Sequence, residues 1–459
     1  MRNKFLSFFG MVLFVISFSA TANAEIFTAY LNGAQEVPPV ATSATGYARI
    51  VVNESTGALT FTVVFNGLTS AQNGCHIHAP AAIGASAGVA INFGVVGGTS
   101  GTISGATTIT PTQLSQLRQG LAYVNVHSGN FGNGEIRGQL AKSRPVDYDG
   151  DGRTDMSVLR FPNVAPPGVS DITWWNLNST AGPQTLATFG DANRDFPAPG
   201  DYDGDAKTDI AFYRAGATAG AQSEYWIVRS SNNTIQYYAW GLNGDQTVQR
   251  DYDGDGITDV AVFRRSATAT AQTTWYIRNS ATGTARVEGF GLSGDGTNNF
   301  DTPVPGDYDG DGKFDLAVYR FALSPTNNYI VKRSSDGVIT FQAFGNFNSD
   351  YILPGDYDGD GKYDYAVART GATGTSPLVW WILQSSNGAT RTLTWGRTSD
   401  LPAQGDYDGD TRTDLAVYRA GATAAVQSDY LINRSFDNTF QITKWGVGGD
   451  FSVNTFDIR

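Results

Sequence analysis

The sequence predicts an all-β chain in two parts: a β-sandwich-like domain over residues 25–143, then a β-propeller over residues 144–459. Three observations carry this expectation. Helical periodicity is scarce in a chain of 459 residues that is rich in glycine (54) and aromatic side chains (12%). Up to about residue 143, short runs alternate apolar and polar residues between Gly, Asn and Pro, as half-buried strands do. Beyond that point a nine-residue stretch first seen at Asp147–Asp155 returns five times, and a fixed period of this length marks a repeat architecture.

The chain opens on Arg2 and Lys4, continues through an apolar run from Phe5 to Phe18, and reaches the small-residue triplet Ala22-Asn23-Ala24. This is the pattern of a secretory signal peptide over residues 1–24, so the mature chain is expected to begin at Glu25. The protein is then exported: secreted, periplasmic or held at the cell surface. No later segment is long and apolar enough for a transmembrane helix. Cys75 is the sole cysteine, which excludes an internal disulfide. Stability outside the cell must therefore come from packing and metal. A formal net charge of −12 argues against nucleic acid and anionic membrane surfaces as partners, since both attract basic patches.

In residues 25–143 the segments Tyr47–Val52, Leu59–Phe65 and Leu121–His127 read as strands. Thr112–Gly120 reads as a short helix, capped by Thr110 or Thr112 and ended by Gly120. Four separated motifs stand out: Leu31-Asn32-Gly33-Ala34-Gln35-Glu36-Val37-Pro38-Pro39-Val40, Cys75-His76-Ile77-His78, Tyr123-Val124-Asn125-Val126-His127, and Gly134-Glu135-Ile136-Arg137-Gly138-Gln139. In order and over nearly all of residues 26–140, they resemble the CHRD (chordin-type) domain. The resemblance implies a secreted β-domain and no particular activity. All three histidines of the chain lie in these motifs. On a strand, His76 and His78 share one face, with Cys75 and Ile77 on the other. If the strand of His127 is a neighbour, three imidazoles converge on a Cu or Zn ion. The other reading is a polar cluster in which the histidines pair with Glu135, Arg137 or backbone. Cys75, on the opposite face, reads as core rather than ligand.

The repeated stretch places Asp at positions 1, 3, 5 and 9. The carboxylates are Asp147, Asp149, Asp151 and Asp155; Asp201, Asp203, Asp205 and Asp209; Asp251, Asp253, Asp255 and Asp259; Asp307, Asp309, Asp311 and Asp315; Asp356, Asp358, Asp360 and Asp364; and Asp406, Asp408, Asp410 and Asp414. Four carboxylates so close repel one another unless a cation sits among them, and hard oxygen ligands at this spacing suit Ca²⁺. Positions 1, 3, 5 and 9 would supply carboxylates and position 7 a backbone carbonyl. The residues at position 12, such as Val158, Phe212 and Val262, are not the Glu of an EF-hand. These 24 residues are more than half of the 43 acidic residues, so the acidity reads as metal ligation first. At position 6 Gly is replaced by Ala206 and Thr411, where weaker ion binding is expected from backbone strain.

After each ninth-position Asp comes an apolar strand ending in Arg160, Arg214, Arg264, Arg320, Arg369 or Arg419. A loop follows, then an aromatic strand (Trp174-Trp175, Tyr225-Trp226, Trp275-Tyr276, Tyr329-Ile330, Trp380-Trp381, Tyr430-Leu431), then a strand ending in aromatic-Gly. Four strands per unit around an axis make a propeller. Six blades are expected, or seven if the tail of the first domain contributes. Phe451–Thr455 aligns with the entry strand that the first blade lacks and is the candidate for closure. The arginines read as structural partners of nearby carboxylates or carbonyls, the aromatic pairs as blade-to-blade core. The loops with their strands resemble FG-GAP/VCBS repeats of integrin α-type propellers. That resemblance implies Ca²⁺ in a hairpin between the first two strands of a blade, and adhesion or ligand binding without catalysis.

The expected function is therefore a non-enzymatic, calcium-stabilised binding or adhesion protein, monomeric, whose propeller loops hold an extracellular protein or polysaccharide. A lectin-type propeller is the variant with a sugar ligand. A different class is an enzyme, using His76, His78 and His127 with a metal or degrading polysaccharide in the propeller. A glycan hydrolase needs two carboxylates at a set separation, which the sequence does not display.

Overall fold

A computed structural model describes residues 24–53, 56–82, 84–118, 120–140, 146–161, 171–179, 182–205, 207–268, 270–294, 300–321, 329–345 and 350–455. The proposed leader lies outside the described residues except for Ala24, as does Ala206. Strand β1 (Ala24–Asn32) opens the first domain, followed by β2 (Thr45–Asn53), β3 (Ala58–Asn66), β4 (Gln72–His78), β5 (Val89–Asn92), β6 (Gly101–Thr108), helix α1 (Pro111–Arg118), β7 (Tyr123–Ser128) and β8 (Ile136–Gln139). The strands form one continuous sheet in the order β5-β4-β7-β8-β1-β2-β3-β6. In β2 and β3 every second residue is buried. Such strict alternation gives the sheet a single apolar face, and that face wraps around one core containing Phe27, Ile50, Phe65, Cys75, Val124 and Val126. The sandwich is thus one sheet folded over its own interior.

Helix α1 starts one residue earlier than the sequence suggests. Pro111 takes the first turn, where its missing N–H is harmless. Thr110 is the cap: its Oγ1 accepts from Gln113 N at 3.2 Å, while Gln113 Oε1 accepts from Thr110 N at 2.9 Å. This reciprocal pair is a capping box. Gly120 ends the helix at φ +64°, a left-handed position that Gly adopts without strain.

From β9 (Met156–Arg160) onward the chain forms six four-stranded sheets. In five of them the strands follow chain order. The sheet containing β9 takes its entry strand from the other end of the chain: Phe451 pairs with Leu159 and Ser452 with Val158. The propeller has six blades and is closed by the residues that the sequence singled out. The second strand of each blade is apolar on both faces because blades stack against each other, and Ala211, Ala261, Ala317, Ala366 and Ala416 are fully buried there. Between blades sit Trp174, Tyr225, Trp275, Tyr329, Trp380 and Tyr430, also fully buried. Aromatic burial on this scale is the main apolar contribution to blade packing.

The first domain sits against the end of the propeller that carries the Asp loops. Tyr47 Oη donates to the carbonyl oxygen of Asp205 at 3.2 Å. The Thr411 side chain packs so closely on Gly120 that a Cβ at Gly120 would collide with it. Gln35, Glu36, Arg137 and Gln139 share a cavity of about 340 Å³ with Asp151, Arg153 and Gly409. No described helix is long and apolar enough to cross a membrane.

Candidate metal centres

Each Asp loop is built by its own backbone amides. In the first, the Asp147 carboxylate accepts from Gly150 N at 2.7 Å and Gly152 N at 2.8 Å. Asp155, at position 9, accepts from Tyr148 N at 2.8 Å and from Ser179 N at 2.7 Å. The ninth-position Asp is held the same way in every other blade, by the Tyr after the first Asp and by Ser230, Ser280, Ser334, Ser385 or Ser435. These serines lie in the hairpin between the third and fourth strands. Their recurrence one hairpin after each aromatic strand is the sequence signal that identifies them.

The carboxylates converge. One oxygen from each of Asp147, Asp149 and Asp155 lies within 4.8 Å of the others, as do those of Asp201, Asp203 and Asp209, of Asp251, Asp253 and Asp255, and of Asp307, Asp309 and Asp311. Oδ1 of Asp203, Oδ2 of Asp253 and Oδ1 of Asp358 are buried with no hydrogen-bond partner. A buried carboxylate oxygen without a donor is expensive, and a cation between the loop carboxylates answers it. The electrostatics agree. Burial first, then the neighbouring carboxylates, raises Asp147 and Asp251 well above the usual carboxylate range. The same causes push Asp155 and Asp259 up to about 7 and Asp414 to about 8. A divalent ion reverses this pressure. The donor set is all oxygen, as Ca²⁺ prefers. Thr411, the residue at position 6 of the last loop, takes φ +74°, which costs a β-branched residue roughly 1–2 kcal/mol.

The loops are also joined to one another. Thr208 N donates to Asp147 O (2.6 Å), Thr258 N to Asp201 O (2.6 Å), Phe314 N to Asp251 O (2.9 Å) and Tyr363 N to Asp307 O (2.8 Å). Thr413 N donates to Asp356 O (2.6 Å), and Thr154 N to Asp406 O (2.7 Å). The eighth residue of each loop thus bonds to the first residue of the preceding one, and the chain of bonds closes on itself after six steps.

At the opposite end of the blades the recurrent arginines find carboxylates, as expected. Arg160 pairs with Asp450, Arg214 with Asp195, Arg264 with Asp245, Arg320 with Asp301, Arg369 with Asp350 and Arg419 with Asp400, each through two nitrogens at 2.7–3.0 Å. Four guanidinium groups also lie over a ring of the aromatic strand: Trp175, Trp226, Tyr276 and Trp381. These Asp residues were missed in the sequence, although five of them stand six positions before an Asp loop.

The three histidines meet. Strands β4 and β7 are neighbours, with Gly74 opposite His127 and His76 opposite Asn125. His76 Nδ1 and His127 Nε2 are 3.0 Å apart. His78 Nδ1 lies 3.0 Å from Ala87 O, and His127 Nδ1 lies 3.0 Å from Gly132 O. The rings crowd over Gly74, where a Cβ would stand 3.1 Å from His76 Cε1 and 3.4 Å from His127 Cδ2. Burial, helped by the neighbouring histidines, lowers His76 to about 4, and burial lowers His78 and His127 as well. Burial thus favours the neutral form of all three rings. Glu135 bonds to Thr42, Thr69 and Ser128 instead. Cys75 faces the core, its thiol pushed up to about 12 by burial.

Residues 27–140 match the family model described as the CHRD domain, and residues 251–318 match the one described as the FG-GAP-like repeat. A search among curated proteins finds no match. Among solved structures, a protein of Bacteroides uniformis ATCC 8492 described as a candidate 6-phosphogluconolactonase is 10% identical, with 64% of this chain and 98% of that one covered. Its TM-score of 0.35 is too low to carry an argument. The chain thus joins a domain that matches the CHRD model over residues 27–140 to a six-bladed β-propeller, within which residues 251–318 match the FG-GAP-like repeat.

Proposed function

We propose that this is an exported, calcium-stabilised binding or adhesion protein that acts without catalysis and takes an extracellular protein or polysaccharide at the propeller end facing away from the CHRD domain. One observation carries the reading. Directly after each arginine-paired Asp, on the entry strand of each blade, stands a residue whose identity varies from blade to blade: Phe196, Gln246, Thr302, Tyr351, Leu401 and Phe451. Gln246, Thr302, Tyr351 and Leu401 line one cavity of about 350 Å³ that touches four blades. These four residues stand on the first strands of four successive blades, and in a propeller the innermost strands line the central channel, which makes the cavity a candidate channel mouth. Phe196 and Phe451 hold the same position on the two remaining blades and are 57% and 46% exposed. Variable residues on a rigid repeated frame are where such a fold places specificity.

The Asp loops, at the other end, are partly covered by the CHRD domain, which favours a role in stability over one in ligand binding. The exposed rings of Phe196 and Phe451, with the half-buried ring of Tyr351 in the cavity, also support the lectin-type variant, since aromatic faces stack on sugars. The test is full-length protein on glycan and extracellular-protein arrays in Ca²⁺, beside the triple variant Phe196→Ala, Tyr351→Ala, Phe451→Ala. Binding lost in the variant, with its melting temperature unchanged, is expected. Glycans alone on the positive spots would select the lectin variant. Ligand bound equally by both proteins would overturn the channel-mouth site.

A further inference from the structure

We propose that His76, His78 and His127 form a site for one first-row transition-metal ion, copper in preference to zinc, on the polar face of strands β4 and β7. The argument begins with the proton positions. A carbonyl oxygen only accepts, so Nδ1 of His78 carries a proton toward Ala87 O and Nδ1 of His127 carries one toward Gly132 O. In a neutral imidazole the other nitrogen is then a bare lone pair. Two backbone carbonyls thus fix the tautomers of two rings and turn both Nε2 atoms into ligands, the second-shell arrangement usual for metal-bound histidine.

A hydrogen-bonded cluster accounts for only part of this. His76 Nδ1 can donate to His127 Nε2 across their 3.0 Å separation. Nε2 of His78 is left: it is buried and accepts nothing, on a residue only 8% exposed. A buried acceptor without a donor calls for a partner, and the other two rings stand beside it, all three offering nitrogens within 4.8 Å of one another. When a metal binds, the His76 proton moves to its Nε2, and Nδ1 becomes the third ligand. No net charge changes on the protein.

Imidazole nitrogens suit both copper and zinc, and copper stands above zinc in the order of divalent affinities. His76 is only half-buried, so an ion has a route in from solvent. Gly74 completes the site by leaving room for the rings.

The test uses full-length protein stripped of metal and then saturated with Ca²⁺, so that the Asp loops do not compete. Cu²⁺ and Zn²⁺ are titrated separately by calorimetry, and the copper form is examined by electron paramagnetic resonance. One equivalent of Cu²⁺ with coupling to three nitrogens is expected, with weaker Zn²⁺ binding. His78→Ala should lower Cu²⁺ affinity by more than the roughly 10–100-fold typical of losing an outer-shell partner. His76→Gln, at the half-buried position, guards against a folding defect and should do the same with the melting temperature unchanged. Binding that survives both substitutions, or no stoichiometric binding of either ion, would overturn the site. Zn²⁺ bound more tightly than Cu²⁺ would overturn the metal assignment and leave the ligands standing.

Discussion

The propeller and the CHRD domain solve the same problem in opposite ways. Both must hold buried polar groups without disulfides. The propeller repeats one local device: four aspartates within nine residues, an Arg–Asp pair on the far side, and one backbone bond to the next loop. Each piece sits beside its partner in the chain or is copied in the neighbouring blade. The CHRD domain has no repeats. Its polar face is assembled from β4, β7 and β8, which the chain brings together from separate motifs. Failure in the propeller is therefore expected to be shared around the ring. In the CHRD domain it should stay local.

The largest expected effect separates the two domains. If the Asp loops hold calcium as proposed, its removal would leave the loop carboxylates facing each other, so EDTA should lower the melting temperature of the propeller by at least about 10 °C. The CHRD transition should remain in place. Calorimetry of the full chain with and without EDTA reads both. Because the loops form a closed ring of hydrogen bonds, re-addition of Ca²⁺ should restore the propeller in one cooperative step. A propeller transition indifferent to EDTA would remove calcium from the account altogether.

The second effect tests the ring at its seam. Asp450 is almost fully buried and holds Arg160 across a sequence separation of 290 residues. Asp245 holds Arg264 across only 19. Asp450→Asn and Asp245→Asn each leave a guanidinium without its carboxylate, a loss of about 2–4 kcal/mol. At the seam the damage should be greater by about 1 kcal/mol or more, because that pair closes a loop of 290 residues rather than 19 and the entropy of loop closure grows with loop length. Urea unfolding of the two variants measures the difference. Equal losses would mean that the buried Ser452 and Asn454, bonded to Tyr430 and to the Asp155 carbonyl, hold the seam unaided.

Much of this was legible because it is local. The spacing of Asp147, Asp149, Asp151 and Asp155 is a sequence property, and the period of the loops implied blades. Phe451–Thr455 matched the missing entry strand by the same logic. The arginines were visible too, but their partners were overlooked. Asp195, Asp245, Asp301, Asp350 and Asp400 recur at a constant distance before each loop, and Asp450 recurs in the closing segment. The ring through Thr154, Thr208 and Thr258 was not legible at all. Its donors and acceptors are backbone groups, and Phe314 and Tyr363 serve as well as Thr. The His cluster lies between these cases. The alternation in Cys75–His78 fixed which face each ring takes, but only the β4–β7 pairing brings His127 across. Gly74, which makes room for the rings, read as nothing more than a glycine.

The smallest effect belongs to the CHRD side of the comparison. Glu36 is buried beside Arg137 and Asn125, where it accepts from Asn125 Nδ2. Burial, opposed by Arg137, raises its pKa from 4.5 to about 7. The folded state then holds the Glu36 proton more tightly than the unfolded chain does. Its contribution to stability is complete below pH 4.5 and is lost as the pH rises through 7, by up to about 3 kcal/mol. Glu36→Gln keeps the shape and the hydrogen bond to Asn125 but cannot titrate. Between pH 5 and 8 the variant should lack this decline, so the wild-type-minus-variant difference in CHRD stability should slope downward with pH. The propeller transition, measured in saturating Ca²⁺, should not distinguish the two proteins. A flat difference would mean that Arg137 keeps Glu36 ionised in the folded protein, and the pair would then act as a salt bridge between the turn that follows β1 and the last strand β8.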